Sequence, residues 1–184
     1  MTSRSPSVRR RWLACAAPLA LVLCVARASG ADVLEVDDRS VAFGVSAGGG
    51  WSGLAGPKET TDLGFAQIGF RALLWGRFEA ALDLRADFAA APEPGDGPVA
   101  SYLALAWIIG HLDLLPLAPF VGVGGGASLP PDFGAVVGTV GACAGLSLWF
   151  RATWRLTLRA AQRWNFDENG SIATDVGLTG EWFF

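Results

Sequence analysis

From Ser171 to Phe184 the chain alternates at a period of two. Ile172, Thr174, Val176, Leu178, Gly180, Trp182 and Phe184 fall on one face, and Ala173, Asp175, Gly177, Thr179, Glu181 and Phe183 on the other. Side chains of a β-strand point alternately to its two faces, so the segment reads as a strand with one apolar and one partly charged face. Residues 78–87 repeat the pattern, with Phe78, Ala80, Leu82, Leu84 and Ala86 opposite Glu79, Ala81, Asp83, Arg85 and Asp87. Residues 154–164 do the same, with Trp154, Leu156, Leu158 and Ala160 opposite Arg155, Thr157, Arg159 and Arg163. In 64–75 the apolar set is Ala66, Ile68, Phe70, Ala72 and Leu74, and the other face carries Gln67, Gly69 and Arg71. In 41–51, Val41, Phe43, Val45 and Ala47 alternate with Ala42, Gly44, Ser46 and Gly48.

Three more strands are predicted at 99–110, 117–127 and 136–150. The first is apolar on both faces; its larger side chains, Leu103, Leu105, Trp107 and Ile109, are expected outward and Ala104 and Ala106 inward. Glycines at both parities leave the facing of 117–127 open. Between strands the connections alternate in length. Gly/Pro-bearing segments at 52–62, 88–98, 128–134 and 165–170 are long, whereas 76–77, 111–116 and 151–153 are compact. An even number of strands of about ten residues, with alternating loop lengths and both chain ends on the short-turn side, predicts an all-β fold. The expected architecture is an eight-stranded antiparallel up-and-down transmembrane β-barrel over residues 40–184.

Composition decides which face meets lipid. Apolar residues make up 52% of the chain, yet after residue 31 no apolar run approaches the roughly 18 residues of a spanning helix. In hydrocarbon every backbone N–H and C=O must be paired internally, which leaves a closed barrel with its apolar face outward. The inward face then carries Arg71, Glu79, Asp83, Arg85, Arg155, Arg159, Asp175 and Glu181. Hairpin pairing is expected to bring Arg71 to Asp83, Arg159 to Asp175 and Arg155 to Glu181. Eight strands leave an interior that side chains just fill, so this network is expected to plug the lumen. A narrow conduit lined by the same residues is the alternative. A soluble lipocalin-like barrel, with the two faces exchanged, is a third reading.

Tryptophans supply a separate signal. Trp75, Trp149, Trp154 and Trp182 map beside short turns or the C-terminus, and Trp51 and Trp164 map to the opposite rim. Such rings collect at both water boundaries of a bilayer, so these six are expected to form aromatic girdles.

Ahead of the barrel, Arg4, Arg9, Arg10 and Arg11 precede an apolar run from Trp12 to Val25, followed by Ala26-Arg27-Ala28-Ser29-Gly30-Ala31. This is the layout of a secretory signal peptide over 1–31, with cleavage between 28 and 31, followed by a periplasmic lead-in at 32–39. Five of the 14 Lys and Arg residues, and none of the 17 Asp and Glu, lie in that leader, so the remainder has a net charge of about −8. Such a charge argues against nucleic acid as a partner.

Candidate chemistry is sparse. His111 is the only histidine, placed in a short turn without a nearby serine, and Cys143 is the only cysteine after the leader. No catalytic site, cofactor, soft-metal site or internal disulfide is expected. Glycines 122–126 lack the Lys-Ser/Thr of a phosphate loop. Acidic loop residues Glu93, Asp96, Asp132, Asp167 and Glu168 are read as a solvated rim, with divalent-cation gathering as the alternative.

Leu117 to Ala127 with its Pro-Phe-Val-Gly-Val-Gly run, the pattern Leu156-Thr157-Leu158-Arg159-Ala160 and the aromatic C-terminus resemble the small eight-stranded outer-membrane barrels of the OmpA and OmpW type. That resemblance covers the whole chain after the leader. It implies a monomer in the bacterial outer membrane, in contact with the lipid bilayer and lipopolysaccharide. It also implies insertion by the barrel-assembly machinery, with Trp182 and Phe184 as the recognition signal. The role implied is structural, in membrane integrity or surface interaction; an OmpW-like conduit for small or hydrophobic solutes is the alternative.

Overall fold

The structure is a computed structural model that describes residues 41–56, 60–89, 99–112, 116–129, 135–151, 153–168 and 170–184. The expected leader and lead-in, and the loop acids Glu93, Asp96 and Asp132, lie outside the described residues.

Period-two segments pair into eight strands: β1 Val41–Ala55, β2 Thr60–Leu74, β3 Phe78–Ala89, β4 Val99–His111, β5 Leu117–Leu129, β6 Val137–Arg151, β7 Trp154–Asn165 and β8 Ile172–Phe183. Each is hydrogen-bonded antiparallel to its neighbours in sequence, and β1 also pairs with β8, closing the barrel. Closure removes the unpaired edges that an open sheet would expose to lipid. At the β2–β3 hairpin Trp75 and Gly76 adopt φ of 53° and 65°, and the Arg77 N–H donates to the Leu74 carbonyl at 3.1 Å. Positive φ at both central residues is the geometry of a type I′ turn, whose twist matches that of the strands it joins.

Apolar side chains face outward. Phe43, Ile68, Phe70, Leu82, Leu84, Ile108, Val121, Val123, Val176 and Leu178 are all exposed, while Arg71, Glu79, Asp83, Arg85, Asp87, Arg155, Arg163, Asp175 and Glu181 are buried within the barrel. This arrangement excludes the soluble inside-out alternative, in which arginines would face water and leucines a pocket. Trp75, Trp154 and Trp182 are exposed at the short-turn end, where Trp154 lies directly opposite Trp182, and Trp51 and Trp164 are exposed at the other end.

Three sequence expectations are corrected. First, Leu103, Leu105, Trp107 and Ile109 of β4 point inward and are buried, while Ala104, Ala106 and Ile108 are exposed. The partner strand imposes this: Leu103, Leu105 and Ile109 lie opposite Arg85, Asp83 and Glu79, and residues opposite one another in an antiparallel pair share a face. Second, Trp149 is buried inside the lumen against Phe183 and Leu73 rather than in the outer girdle. It shares the parity of Ser147 and Cys143, both buried, and so follows β6 inward. Third, His111 ends β4 instead of opening a turn.

Facing on β5 is now determined. Ala118 and Phe120 are buried, and Gly122, Gly124 and Gly126 continue the inward row. A Cβ at Gly124 would lie 2.6 Å from the Trp107 ring. Glycine there is the space that a large inward side chain on the neighbouring strand occupies.

Candidate functional site

In the ring of eight strands β3 and β7 stand four places apart in either direction, so they face each other across the full lumen. The strongest charge alternation in the sequence falls on these two strands. As a result, carboxylates on one wall look directly at guanidinium groups on the other.

At the short-turn end the floor is aromatic. Trp149 and Phe183 stack at 5.3 Å, and the Arg155 guanidinium lies 5.1 Å from the Trp149 ring centroid and 4.9 Å from that of Phe183. Cations are attracted to such ring faces, more strongly when both are desolvated. Above this floor, Arg155 binds Glu181 of the adjacent β8 and Glu79 of β3 opposite. Arg71 lies 3.4 Å from Glu79 and 3.6 Å from Glu181. His111 Nε2 lies 3.1 Å from Glu79 Oε2, and its ring packs 5.5 Å from Phe120.

Midway along the axis, Asp83 forms an ion pair with Arg71 at 2.6 Å and accepts a hydrogen bond from Arg159 at 2.9 Å. Arg159 also donates to Gln67 Oε1 at 3.1 Å, and Gln67 passes the bond on to Thr179 at 3.1 Å. Gly69 makes room for the pair: a Cβ there would lie 2.5 Å from Asp83 Oδ1. Trp107 backs the Arg159 guanidinium at 5.2 Å.

Higher still, Asp175 accepts from Arg163 at 2.6 Å and from Arg85 at 3.1 Å. Arg85 binds Asp87 at 2.5 Å and lies 3.8 Å over the Phe65 ring. Arg159 was expected to reach Asp175 and does not. Asp175 lies opposite Ala161, equally spaced between Arg159 and Arg163; Arg163 takes it, and Arg159 crosses to the carboxylate on the opposite wall.

Arg71, Arg85, Arg155, Arg159 and Arg163 thus meet Glu79, Asp83, Asp87, Asp175 and Glu181, charge for charge. Desolvating an ion costs several kcal/mol unless partners and hydrogen bonds compensate it, which is why both signs must be present in equal measure. Arg163, Asp87, Gln67 and His111 enlarge the network named from the sequence. The parity that put Arg159, Asp83 and Arg71 inward carried the first three as well; only the tertiary contact with Glu79 shows His111.

β4, β5 and β6 contribute a different wall. Leu105, Trp107, Ile109, Phe120 and Cys143 form one buried apolar cluster, so the lumen is charged on one side and apolar on the other. Little space remains between them. A gap of about 10 Å³ lies among Arg71, Glu79, His111 and Arg155, and another of about 10 Å³ among Gln67, Arg85, Trp107 and Asp175. Each is barely the size of one water. The long-loop end instead opens into a vestibule of about 190 Å³. Among the described residues no group of His, Cys, Asp and Glu is arranged to hold a metal ion.

No protein-family model and no curated protein sequence matches this chain. Solved structures do match it in shape. Neisserial surface protein A superposes with a TM-score of 0.67 at 13% identity, covering 79% of this chain and 100% of that one. The N-terminal β-barrel domain of Pseudomonas aeruginosa OprF gives 0.54 at 15% identity, covering 78% and 97%. At such identities the likeness is one of fold: that of the small eight-stranded outer-membrane barrels.

Proposed function

With the eight-stranded membrane barrel as premise, we propose that this protein is an outer-membrane barrel with a closed lumen and a structural or surface-interaction role. The observation that carries this reading is the pair of contacts joining opposite walls, Arg159 to Asp83 and Arg155 to Glu79. Bonds across the full diameter leave no continuous aqueous path, and the gaps of about 10 Å³ on either side of the Arg159 layer agree with that. The role is non-enzymatic; His111 is engaged with Glu79 and Phe120 inside the lumen.

The exposed apolar wall and its tryptophan rims support residence as a monomer in a bilayer. The outer membrane, with lipopolysaccharide as its outer-face neighbour, is the location that the fold favours. Trp182 and Phe184, 54% and 76% exposed at the end of β8, are available to the barrel-assembly machinery as a C-terminal signal.

Planar-bilayer recording tests the closed lumen, using protein whose gel band shifts on boiling in SDS. Silent membranes are expected. Discrete, reproducible channel events would overturn the reading in favour of a narrow conduit. One observation favours that second reading: Arg159 is the most accessible of the paired arginines, at 11% side-chain exposure, and it lines both interior gaps.

A further inference from the structure

We propose that a polar row on the outer wall, at the long-loop end, is a docking site for the headgroup of an aminophospholipid, a lipid whose phosphate carries an ammonium. Asp62 on β2 lies directly opposite Gly53 on β1, Gly53 opposite Thr174 on β8, and Thr174 opposite Gln162 on β7. Residues opposite one another share a face. By strand parity these four share theirs with Ile68, Val45, Val176 and Leu158, all exposed on the outer wall. Asp62, Thr174 and Gln162 are themselves exposed, so they interrupt a surface that is otherwise hydrocarbon. With adjacent strands about 4.8 Å apart, the row runs for about 14 Å.

Depth sets what the row meets. Trp51 precedes Gly53 by two residues on β1 and Trp164 follows Gln162 by two on β7, so the row lies within the aromatic girdle of this rim. At that depth a bilayer presents headgroups rather than acyl chains. The fourth position is glycine because the Trp51 indole occupies it. A Cβ at Gly53 would lie 2.7 Å from the Trp51 ring, and Gly53 is buried on an otherwise exposed face. Trp51 itself remains 46% exposed. An indole therefore stands in the row between the Asp62 carboxylate and the Thr174 hydroxyl. Among the described residues no hydrogen bond or ion pair engages the side chains of Asp62, Thr174 or Gln162.

Charge complementarity selects the headgroup. A carboxylate beside an indole attracts an ammonium through both its charge and the ring quadrupole, and it repels a bare phosphate. Beyond the indole, Thr174 and Gln162 supply hydroxyl and amide donors that phosphate or ester oxygens accept. An ethanolamine phosphodiester carries both parts, the cation at its tip and the anion behind it. A phosphoglycerol headgroup lacks the cation, and a sugar headgroup bearing several phosphates sets anions against Asp62. An ionisable side chain turned toward lipid is costly unless a partner meets it. The site rests on the lipid-facing wall proposed above, but conductance and the heat-shifted gel band test that barrel without any headgroup, so each can fail alone.

The test is an NMR titration of isotope-labelled full-length protein folded in non-ionic polyoxyethylene micelles, at neutral pH and without divalent cations. Dihexanoyl phosphatidylethanolamine, dihexanoyl phosphatidylglycerol and lipopolysaccharide are the separate probes. With the ethanolamine lipid, saturable shifts are expected at the amides of Gly53, Asp62 and Thr174 and not at Ala106, which is exposed on β4, across the barrel from β8. That lipid should bind several-fold more tightly than either of the others. Asp62→Asn should erase the preference, and Trp51→Leu should weaken the ethanolamine lipid about threefold, the worth of one exposed cation–ring contact. Thr174→Val combined with Gln162→Leu should weaken both phospholipids alike. Heat-modifiable gel bands certify that each variant is folded. Equal or tighter binding of the glycerol lipid or of lipopolysaccharide, matching shifts on both walls, a preference that survives Asp62→Asn, or no saturable shift with any probe would overturn the proposal.

Discussion

Arg159 on β7 donates to Asp83 on β3 at 2.9 Å across the full width of the barrel. Asp83 is at the same time ion-paired with Arg71 on the adjacent strand at 2.6 Å, so one carboxylate ties together three of the eight strands. No part of Asp83 is exposed. Its removal would leave two guanidinium groups in a space that water barely enters.

Asp83→Ala is therefore expected to destabilise the folded barrel by about 3–5 kcal/mol, the usual cost of an uncompensated buried charge. Adding Arg159→Ala should recover a measurable part of that loss, because the two residues share one interaction. Denaturant titration of the folded gel band in phospholipid vesicles reads both effects. Equal stability of Asp83→Ala and the parent protein would dismiss the network as a source of rigidity.

Cys143 offers an internal reporter of lumen closure. It is buried in the apolar cluster at 5% exposure, so in the folded protein, with Cys15 and Cys24 replaced by Ser, a water-soluble maleimide should label it only after boiling. Trp149→Ala removes half of the aromatic floor and is expected to cost about 3–5 kcal/mol. It should also make Cys143 labelling measurably faster; unchanged labelling would place the water barrier elsewhere, in the Asp83 layer.

Glycine substitutions distinguish the two sides of the wall. Gly124→Val would push a branched side chain into the Trp107 ring, and overpacking of this kind typically costs about 1–3 kcal/mol. Gly64 lies on the exposed face with nothing within 4 Å of a new Cβ, so Gly64→Ala should stay within about 0.5 kcal/mol of the parent. The same unfolding titration compares them.

Leu82→Arg tests the outer face. Leu82 is 43% exposed, midway along β3 and beside Phe70. In vesicles the substitution should cost about 2–4 kcal/mol, the range for a lipid-facing charge near the bilayer midplane. In detergent, where the belt deforms around a charge, the cost should be smaller. A negligible cost in vesicles would mean that this face does not meet hydrocarbon.

The barrel was legible because two of its faces differ so strongly in chemistry. In β3, β7 and β8 every inward position except Phe183 is charged, polar or small and nearly every outward one is apolar, and only one strand phase satisfies that pattern. β4 carried no such contrast. With apolar side chains at both parities, size was a poor guide, and its larger residues turned inward because the register with β3 and the glycines of β5 made room for them. Trp149 misled for a related reason: position beside a turn identified the rim but not which side of the wall the ring would take.

Periodicity, hydropathy and loop spacing along the chain determined by themselves that eight strands close into a barrel with charges inside and hydrocarbon outside, because each depends only on local order and on the demand for paired backbone groups. Which charge meets which was decided by the tertiary structure. Arg159 and Asp83 are 76 residues apart, and they meet only because closure sets β7 opposite β3, a relation carried by the ring and by no hairpin. The two-sided lumen and the vestibule above it have the same origin, since their volume depends on how eight inward rows fill one shared interior.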